Sequence, residues 1–565
     1  MKKSPLNVAA SLPLIVGLGL AGCSGSNNES SAAPKDSLGP TNAAPAQQAK
    51  APSGKYSSNT KTGEKINAET HHTHGSLTWD TGSEIRLDLA NEPSADGVSV
   101  EDGALVITKA GNYHLSGDYT GQVRINTAEP ETVRLILDNV TITNSTGPAI
   151  AATGGGTTIV YTMAGTTNTV SDGEQYTVAG KKKPDAAIYS TANLTLAGEG
   201  TLTVNGNHEE GVHTTGGLVI SNGTLNVNSV KTGIKGKNYV DILGGEVAVN
   251  SQKDAIKATN SKEEGYGWAR ITGGTVTVTA GDDGLKAIRT VEIADGTLNI
   301  EKAREGVEGQ YINIFGGTVS VNSIDDGINA SLKDSSSDTS SDTTSGTAAA
   351  GQQTQQNQNG QAQQAPAGGG AAPGGSQGST GQNQNMPQPP TDGTMPGGGG
   401  GTFEVVDAAI NISGGTVVVN AEGDGIDSNG TATFSGGTVT VNGPTAGGNN
   451  ALDSNGDLLL NGGIVTAGST ADMFEAPSSA STSGYLKITD SSALTQGSTI
   501  QVTDSSGTVV ANYKITTSGV QLVLVSNKNI VKGQSYTVSV TSGSVDAAST
   551  TEASGASELG SFTAA

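Results

Sequence analysis

Short segments in the middle of the chain alternate apolar and polar residues. In two clear copies, Val247 and Val249 flank one residue, and Val276 and Val278 do the same. Alternation of β-branched residues with period two is typical of strands that bury one face. No copy contains the stretch of about ten residues with 3.6-residue periodicity that a helix needs. The pattern therefore predicts short strands and argues against helical or leucine-rich repeats.

These segments recur about every 22 residues, and each copy carries the same two landmarks. One landmark is a glycine that opens the alternating segment: Gly200, Gly223, Gly245, Gly274, Gly296, Gly317, Gly415, Gly437 and Gly463. The other is a small residue followed by an apolar one: Ala187-Ile188, Gly211-Val212, Gly233-Ile234, Ala255-Ile256, Gly284-Leu285, Gly306-Val307, Gly327-Ile328, Gly425-Ile426 and Ala451-Leu452. Such spacing is typical of a solenoid. We predict an all-β fold, a right-handed parallel β-helix with an N-terminal cap and a small C-terminal β unit, whose coils stack roughly 4.8 Å apart.

An asparagine closes many of the alternating segments at the same place in each copy. These residues are Asn205, Asn228, Asn250, Asn322, Asn420 and Asn442. Asparagine accepts turn conformations, and stacked Asn side chains hydrogen-bond along a column. We interpret this column as structural.

Composition divides the rest of the chain. Residues 331–402 are rich in Ser, Gln, Asn, Gly and Pro and hold too few apolar residues to build a core. The prediction is a lipoprotein signal peptide at 1–23, a disordered tether at 24–77, the β-helix at 78–470 with a disordered low-complexity insertion at 331–402, a C-terminal β unit at 471–545, and a tail at 546–565. His71, His72 and His74 lie near the end of the tether and are interpreted as an exposed polar patch.

The first residues have the pattern of a targeting segment. Lys2 and Lys3 precede a short apolar run that ends in Leu20-Ala-Gly-Cys23. This ending resembles a bacterial lipobox, and Cys23 is the one cysteine of the chain, so no intramolecular disulfide can form. We predict lipidation of Cys23, anchoring to a membrane and a location at the bacterial cell surface.

Charge narrows the functions that the chain can perform. Its 53 acidic residues outnumber its 30 Lys and Arg residues, which argues against nucleic-acid binding. Stacked coils would hold like charges roughly 5 Å apart, so the acidic positions beside the small–apolar landmark need a counter-charge. Either Lys257 and Lys286 pair with them, or a hard cation, most plausibly Ca²⁺, binds among their oxygens. The candidate ligands are Asp254, Asp282, Asp283, Glu305, Glu308, Asp325, Asp326, Asp424 and Asp427. Cation binding is the preferred reading around Asp325 and Asp326, where few positive neighbours are expected.

Lysines occupy the same place in three successive copies, as Lys235, Lys257 and Lys286. Three ammonium groups in a row along one strand face are suited to the carboxylates of a polyuronate. Aromatic residues make up only 3% of the chain, so flat platforms for crystalline neutral glycans are scarce. The candidates for sugar stacking are Tyr266, Trp268 and Tyr311.

Several longer motifs carry a resemblance to a known family. They are the segments 106–117, 133–145, 168–173 and 524–538, for example Val133-Arg-Leu-Ile-Leu-Asp-Asn-Val-Thr-Ile. Their order resembles a bacterial family of surface β-helix proteins known as carbohydrate-binding domain proteins, whose fold is like that of pectate lyases. The resemblance implies calcium binding and non-catalytic attachment to plant cell-wall polysaccharides, including acidic ones.

The sequence thus predicts a non-catalytic, calcium-dependent surface lipoprotein, a monomer, that binds polysaccharides such as polygalacturonate or cellulose. One alternative is a polysaccharide lyase in which Ca²⁺ acidifies a substrate proton and Lys or Arg acts as the base. Another is a surface adhesin or spacer that binds a protein. Fold alone does not decide between them.

Overall fold

A computed structural model describes residue 66 and residues 74–91, 93–177, 184–332, 404–471, 473–489, 494–542, 545 and 552–565. The predicted signal peptide with Cys23, most of the predicted tether and nearly all of the predicted insertion lie outside these residues. The described residues form strands and one 3-10 turn, Thr81–Ser83. Within the described part of the chain, no helix is long and apolar enough to cross a membrane.

The strands form a right-handed parallel β-helix of about 13 turns with three faces, which confirms the predicted fold class. Face A contains β1 Glu84–Asp88, β4 Gly111–Thr120, β6 Thr132–Thr143, β8 Thr157–Thr162, β11 Asn193–Gly198, β14 Gly217–Ile220, β17 Tyr239–Ile242, β20 Trp268–Ile271, β22 Leu285–Ile293, β24 Val307–Ile314, β27 Ala409–Ala421, β29 Thr431–Asn442 and β31 Leu458–Ser469. Face B contains β9 Thr167–Ser171, β12 Thr201–Gly206, β15 Thr224–Ser229, β18 Glu246–Ser251, β21 Thr275–Thr279, β23 Thr297–Ala303 and β25 Thr318–Ser323. Face C contains β3 Ala104–Ile107, β5 Gln122–Ile125, β7 Ile150–Ala152, β10 Ala186–Ser190, β13 Glu210–Thr214, β16 Ile234–Gly236, β19 Ile256–Ala258, β26 Ile328–Ala330, β28 Ile426–Ser428 and β30 Leu452–Ser454.

Seven of the longer strands bend from one face to the next. Strands β4, β6, β27, β29 and β31 continue from face A into face B, and β22 and β24 begin on face C and continue into face A. Each full coil therefore passes through face C, then face A, then face B.

The core lies inside the solenoid, where alternating apolar residues stack in register. On face B, Val227 lies beside Val249, and Val249 lies beside Val278. On face C, Ile234 lies beside Ile256 in the same way. All of these side chains are buried. The predicted period-two pattern therefore defines the inward face of each coil.

The recurring glycine forms the turn between face A and face B. Its φ lies between 74° and 87° at Gly223, Gly245, Gly274, Gly296, Gly317, Gly415, Gly437 and Gly463. Residues with a side chain rarely adopt this left-handed conformation, whereas glycine does so without steric strain. Any other residue there would distort the turn that fixes the coil length.

The asparagine column stacks on the outside of face B. Asn228 Nδ2 donates to Asn205 Oδ1 at 3.1 Å, and Asn420 Nδ2 donates to Asn322 Oδ1 at 2.8 Å. Asn442 Nδ2 donates to Asn420 Oδ1 at 2.9 Å. These hydrogen bonds confirm the structural role that was predicted for the column.

Antiparallel strands cover both ends of the solenoid. At the N-terminal end, β2 (Val98–Glu101) forms a hairpin with β3. At the other end, β35 (Leu522–Asn527) pairs with β31 and with β32 (Tyr485–Ile488). A separate antiparallel sheet has the order β34 (Val509–Lys514), β33 (Thr499–Thr503), β36 (Ser535–Thr541) and β37 (Ser557–Thr563). Antiparallel strands at the ends reduce the open strand edge that the last coils offer to another chain.

Two predicted boundaries need correction. The predicted tail contains β37, whose pairing with β36 makes it part of the C-terminal β unit. The predicted tether contains Ile66, which is buried against Val219, Tyr239 and Trp268 on face A. Hydrophobic contacts of isolated residues carry no periodic signal, which is why composition suggested a tether.

Candidate functional site

A column of charged side chains runs along the outside of face C, immediately after the inward apolar residue of each coil. From one coil to the next it contains His213, Lys235, Lys257, Lys286, Glu308, Asn329, Asp427 and Asp453, paired in register. We call this set, with the acidic residues that flank it, the charged column. The predicted alignment of these positions is therefore observed, and its two halves differ in charge.

In the basic half of the column, each lysine is paired with a carboxylate. Lys235 Nζ lies 2.8 Å from Glu210, and Lys257 Nζ lies 2.9 Å from Asp254. Lys286 Nζ lies 2.6 Å from Asp283 and 2.5 Å from Glu308.

Of the two alternatives that the sequence leaves open, lysine–carboxylate pairing and cation binding, the pairing is observed for all three lysines. Their side chains are 13–24% exposed, so little of each ammonium group faces the solvent.

Arg304 neutralises the next group of acids, and sequence reasoning missed it. Its guanidinium lies 2.6 Å from Asp282, 2.8 Å from Glu305, 3.0 Å from Asp325 and 3.4 Å from Asp283. The prediction that Asp325 has few positive neighbours is therefore wrong. The available signal was the position of Arg304 in a turn between the coils that carry Asp282 and Asp325.

In the basic half, burial and ion pairing have opposite effects on the pKa of Lys286. Burial would lower the pKa of Lys286, but Asp283 and Glu308 raise that pKa above its usual value. Burial, followed by the proximity of Glu308, raises the pKa of Asp283. One oxygen each of Asp283, Glu305 and Glu308 lie within 4.8 Å of one another, a spacing that suits a cation. Lys286 and Arg304 already occupy that position with positive charge.

In the acidic half of the column, carboxylates adjoin one another. This half consists of Asp326, Asp424, Asp427, Asp453 and Glu475. Among the residues that the structure describes, none of the five forms an ion pair with Lys, Arg or His. Glu475 lies between β31 and β32, outside the repeat, so the periodicity did not reveal it.

Burial raises the pKa values of four of these carboxyl groups, and neighbouring acids add to the shifts. Burial, followed by the nearby Asp326 and Asp424, raises the pKa of Asp427 to about 8. Burial raises the pKa of Asp326 to about 7 and that of Asp424 to about 6, and neighbouring acids add to both shifts. Burial and a hydrogen bond with Asp453 raise the pKa of Glu475. Bringing these groups together in ionised form is unfavourable without a cation.

Asn329 lies at the boundary between the two halves. Its Nδ2 donates to Glu305 Oε2 and Asp326 Oδ2, both at 3.3 Å. Its Oδ1 is buried and has no hydrogen-bond partner. Asn329 is in register with Asp427. Amide and carboxylate oxygens are both ligand types that Ca²⁺ accepts.

Comparison with known proteins places this site in context. Residues 101–352 match the family model described as "Carbohydrate-binding domain-containing protein". This segment is similar to that family, in agreement with the resemblance that the sequence motifs carry. The matched segment contains the basic half with Asp326 and Asn329, whereas the other four residues of the acidic half follow it.

Individual relatives cover only parts of the chain. A "Carbohydrate-binding domain-containing protein" of Acetivibrio thermocellus is 32% identical over 160 residues, which are 27% of this chain and 56% of that protein. The chain therefore spans about half the length of that relative. A solved structure, described as a polysaccharide lyase-like protein from C. thermocellum in a gadolinium derivative, is 30% identical. The match covers 43% of this chain and 95% of that one, with a TM-score of 0.37.

The three residues predicted to stack on sugars do not belong to the charged column, since Trp268 and Tyr311 lie on face A and Tyr266 lies in the turn before β20. Trp268 is fully buried and stacks on Tyr239 with ring centroids 4.4 Å apart. Tyr239 stacks on Tyr266 at 6.4 Å. Ile66 covers this stack, and His74 Nε2 lies 2.6 Å from Tyr239 Oη. The prediction that Trp268 offers a sugar-stacking surface is therefore corrected, because the N-terminal segment occupies that surface.

Two further predictions on face A have different outcomes. His74 was expected in an exposed patch, but it is largely buried, and burial lowers its pKa to about 4. Tyr311 remains partly exposed. Burial, together with a hydrogen bond to Asp407, raises the pKa of its hydroxyl. Tyr311 is accessible to a ligand, although it lies apart from the Trp268 stack.

Proposed function

We propose that this chain is a non-catalytic, calcium-dependent polysaccharide-binding protein that binds acidic glycans such as polygalacturonate at the charged column. The observation that carries the proposal is the acidic half, where partly buried carboxylates adjoin one another without a basic partner among the described residues. A hard divalent cation bound to these oxygens would neutralise their repulsion.

The glycan would complete the coordination of the bound cation. Asp326, Asp427 and the amide oxygen of Asn329 offer a few oxygens, whereas Ca²⁺ takes about six to eight. A uronate carboxylate supplies oxygens of the same kind. The lysines of the basic half then contribute mainly to folding, because each already pairs with a carboxylate.

Retention of the full-length chain on immobilised polygalacturonate tests this proposal. We expect retention with Ca²⁺, release by a chelator, and loss of at least tenfold in affinity for Asp427→Asn. The matched control is Glu246→Gln, which removes an exposed acid on face B and leaves retention unchanged. Equal retention of wild type and Asp427→Asn, with or without Ca²⁺, would contradict the proposal.

The protonation of the column supports binding rather than catalysis. A lyase needs a base that is unprotonated at working pH. Burial acts to lower the pKa values of Lys235, Lys286 and Arg304. Nearby carboxylates outweigh this effect and raise all three pKa values. Ultraviolet absorbance during incubation with polygalacturonate is expected to stay flat. A rise from unsaturated product would make the chain a lyase.

We also propose that lipid on Cys23 anchors the protein, as a monomer, to the bacterial cell surface. The lipobox-like ending of the N-terminal segment supports this. Cys23→Ala is expected to move the protein from the membrane fraction to the soluble fraction. Sedimentation of the soluble variant tests the monomeric state.

A further inference from the structure

A groove of about 660 Å³ lies between the last coils of face B and the C-terminal β unit. One wall carries the end of the asparagine column, Asn322, Asn420 and Asn442. The opposite wall carries Gln496 and Thr517, from the loops that precede β33 and β35. The groove is separate from the charged column on face C.

The asparagine wall presents repeated hydrogen-bond donors. Asn420 and Asn442 each use one N–H of the amide to bond to the preceding asparagine, at 2.8 and 2.9 Å. An amide nitrogen carries two N–H groups, so a second donor remains on the partly exposed Asn420. The exposed Asn322 likewise uses one N–H, toward Ile300 O at 3.2 Å, whereas Asn442 is buried. Strand stacking places these amides roughly 4.8 Å apart along the axis. A ligand with regularly repeated oxygens would match this spacing.

The opposite wall contains a buried hydroxyl without a hydrogen-bond partner. Thr517 Oγ1 is buried and makes no hydrogen bond in the structure. A buried polar group without a partner is unfavourable, so any hydrogen bond that a ligand makes to it adds affinity. Gln496 is exposed, and its Nε2 donates to Thr516 O at 2.8 Å, which leaves its side-chain oxygen available as an acceptor.

The charges of the groove favour a neutral ligand. Lys302 is accompanied by Glu301 and Glu422, so the wall has no positive excess for a uronate. None of its lining residues is aromatic, which disfavours the flat face of a crystalline glycan. Hydroxyls that both donate and accept are the complement to amide and hydroxyl walls.

We infer that this groove binds a single strand of a neutral, hydroxyl-rich glycan. The inference rests on the proposed carbohydrate-binding function but assigns a second site with a different ligand class. Calcium is not required for it, since the groove recognises the ligand by hydrogen bonds. The two sites would let one chain bind a neutral and an acidic polysaccharide together.

Calorimetric titration of the full-length chain with neutral hexasaccharides tests the inference, using β-linked glucose, mannose and xylose in the presence of a chelator. We expect binding of at least one, weakened at least tenfold by Asn420→Ala. The matched control is Asn228→Ala, which removes an equivalent position of the same ladder outside the groove. Thr517→Val and Gln496→Ala, on the opposite wall, should weaken binding about threefold or more without lowering the melting temperature.

Several outcomes would overturn the inference. One is that none of the three hexasaccharides binds the wild-type protein, and another is that Asn228→Ala and Asn420→Ala weaken binding equally. A third is a dimer that dissociates on Asn420→Ala, since the groove would then be a protein interface. Retention on polygalacturonate is measured in parallel, so that its loss in Asp427→Asn reports separately on the calcium-dependent site.

Discussion

The two halves of the charged column share one backbone register but solve the problem of stacked charge differently. In the basic half, every ammonium or guanidinium group lies against carboxylates at 2.5–3.4 Å. In the acidic half, carboxyl groups adjoin one another and their pKa values rise. The β-helix therefore fixes where charged side chains lie. The residue at each position decides whether the carboxylates form ion pairs within the chain or are able to bind a ligand.

The largest expected effect comes from breaking the basic half. Lys286→Ala removes the cation between Asp283 and Glu308, whose side chains are 0% and 1% exposed. Removing one partner of a buried ion pair destabilises by about 3–5 kcal/mol, so we expect a large loss in the free energy of unfolding measured in urea.

Two further variants test this reason for the loss. Lys253→Ala, at an exposed lysine of the same region, should change stability by less than about 0.5 kcal/mol. Adding Glu308→Gln to Lys286→Ala should recover part of the loss. If Lys286→Ala and Lys253→Ala change the free energy of unfolding equally, ion pairing is not what stabilises the basic half.

Calcium should stabilise the acidic half specifically. A ligand at 100 times its dissociation constant adds about 2.7 kcal/mol to the stability of the state that binds it. Calorimetry at pH 8 should therefore show a higher melting temperature with Ca²⁺ than with a chelator. Asp427→Asn should abolish most of that difference, and Glu246→Gln should preserve it. A Ca²⁺ effect that survives in Asp427→Asn would place the cation elsewhere.

Without calcium, stability should fall as the pH rises from about 5 to 8. Asp424, Asp326 and Asp427 have pKa values of about 6, 7 and 8 in the folded chain, above the ordinary value near 4. The folded state then binds more protons than the unfolded state over this range, so raising the pH favours unfolding. The slope is at most about 1.4 kcal/mol per pH unit for each proton.

Melting temperatures measured in chelator across this range check the pH dependence. Asp427→Asn should flatten the upper part of the profile, since its amide does not titrate. A stability that rises with pH would mean that these carboxyl groups are ionised and paired.

The smallest expected effect is a change in stability that has opposite signs in the two halves of the column. Glu475→Gln removes one charge from the acidic half and should stabilise the calcium-free protein at pH 8, by about 0.5 kcal/mol or less. Asp254→Asn removes a charge of the same sign from the basic half, but it removes the carboxylate 2.9 Å from Lys257 Nζ and should destabilise. Chemical denaturation of both variants is the measurement, and shifts in the same direction would remove the distinction.

The fold and the alignment of the column were predictable because both follow from periodicity. A residue such as Val249 repeats at a fixed place in each coil, and the same register carries Lys257 and Asp427 to the outside of face C. Arg304 holds the same repeat position as Asp282 and Asp325, so periodicity predicts its alignment with them but not its pairing with four carboxylates. Glu475, by contrast, comes from outside the repeat.

Contacts between distant segments were also hidden from the sequence. Ile66 reaches Trp268 across some two hundred residues of chain, and no local pattern announces that contact. Strand β37 resembles the polar tail around it, and only its pairing with β36 identifies it. These elements depend on tertiary packing, which periodicity does not encode.

The antiparallel strands at the two ends of the solenoid are distinct from the repeats, whose number sets its length. Strand β2 pairs with β3, and strand β35 pairs with β31 and β32, so the end structures join the solenoid at its first and last coils. Gaining or losing one coil would shift one end by roughly 4.8 Å and leave both end structures intact. Descendants of such a chain can thus lengthen or shorten the row of outward positions by duplication or deletion of single repeats, adjusting valency without redesigning the ends.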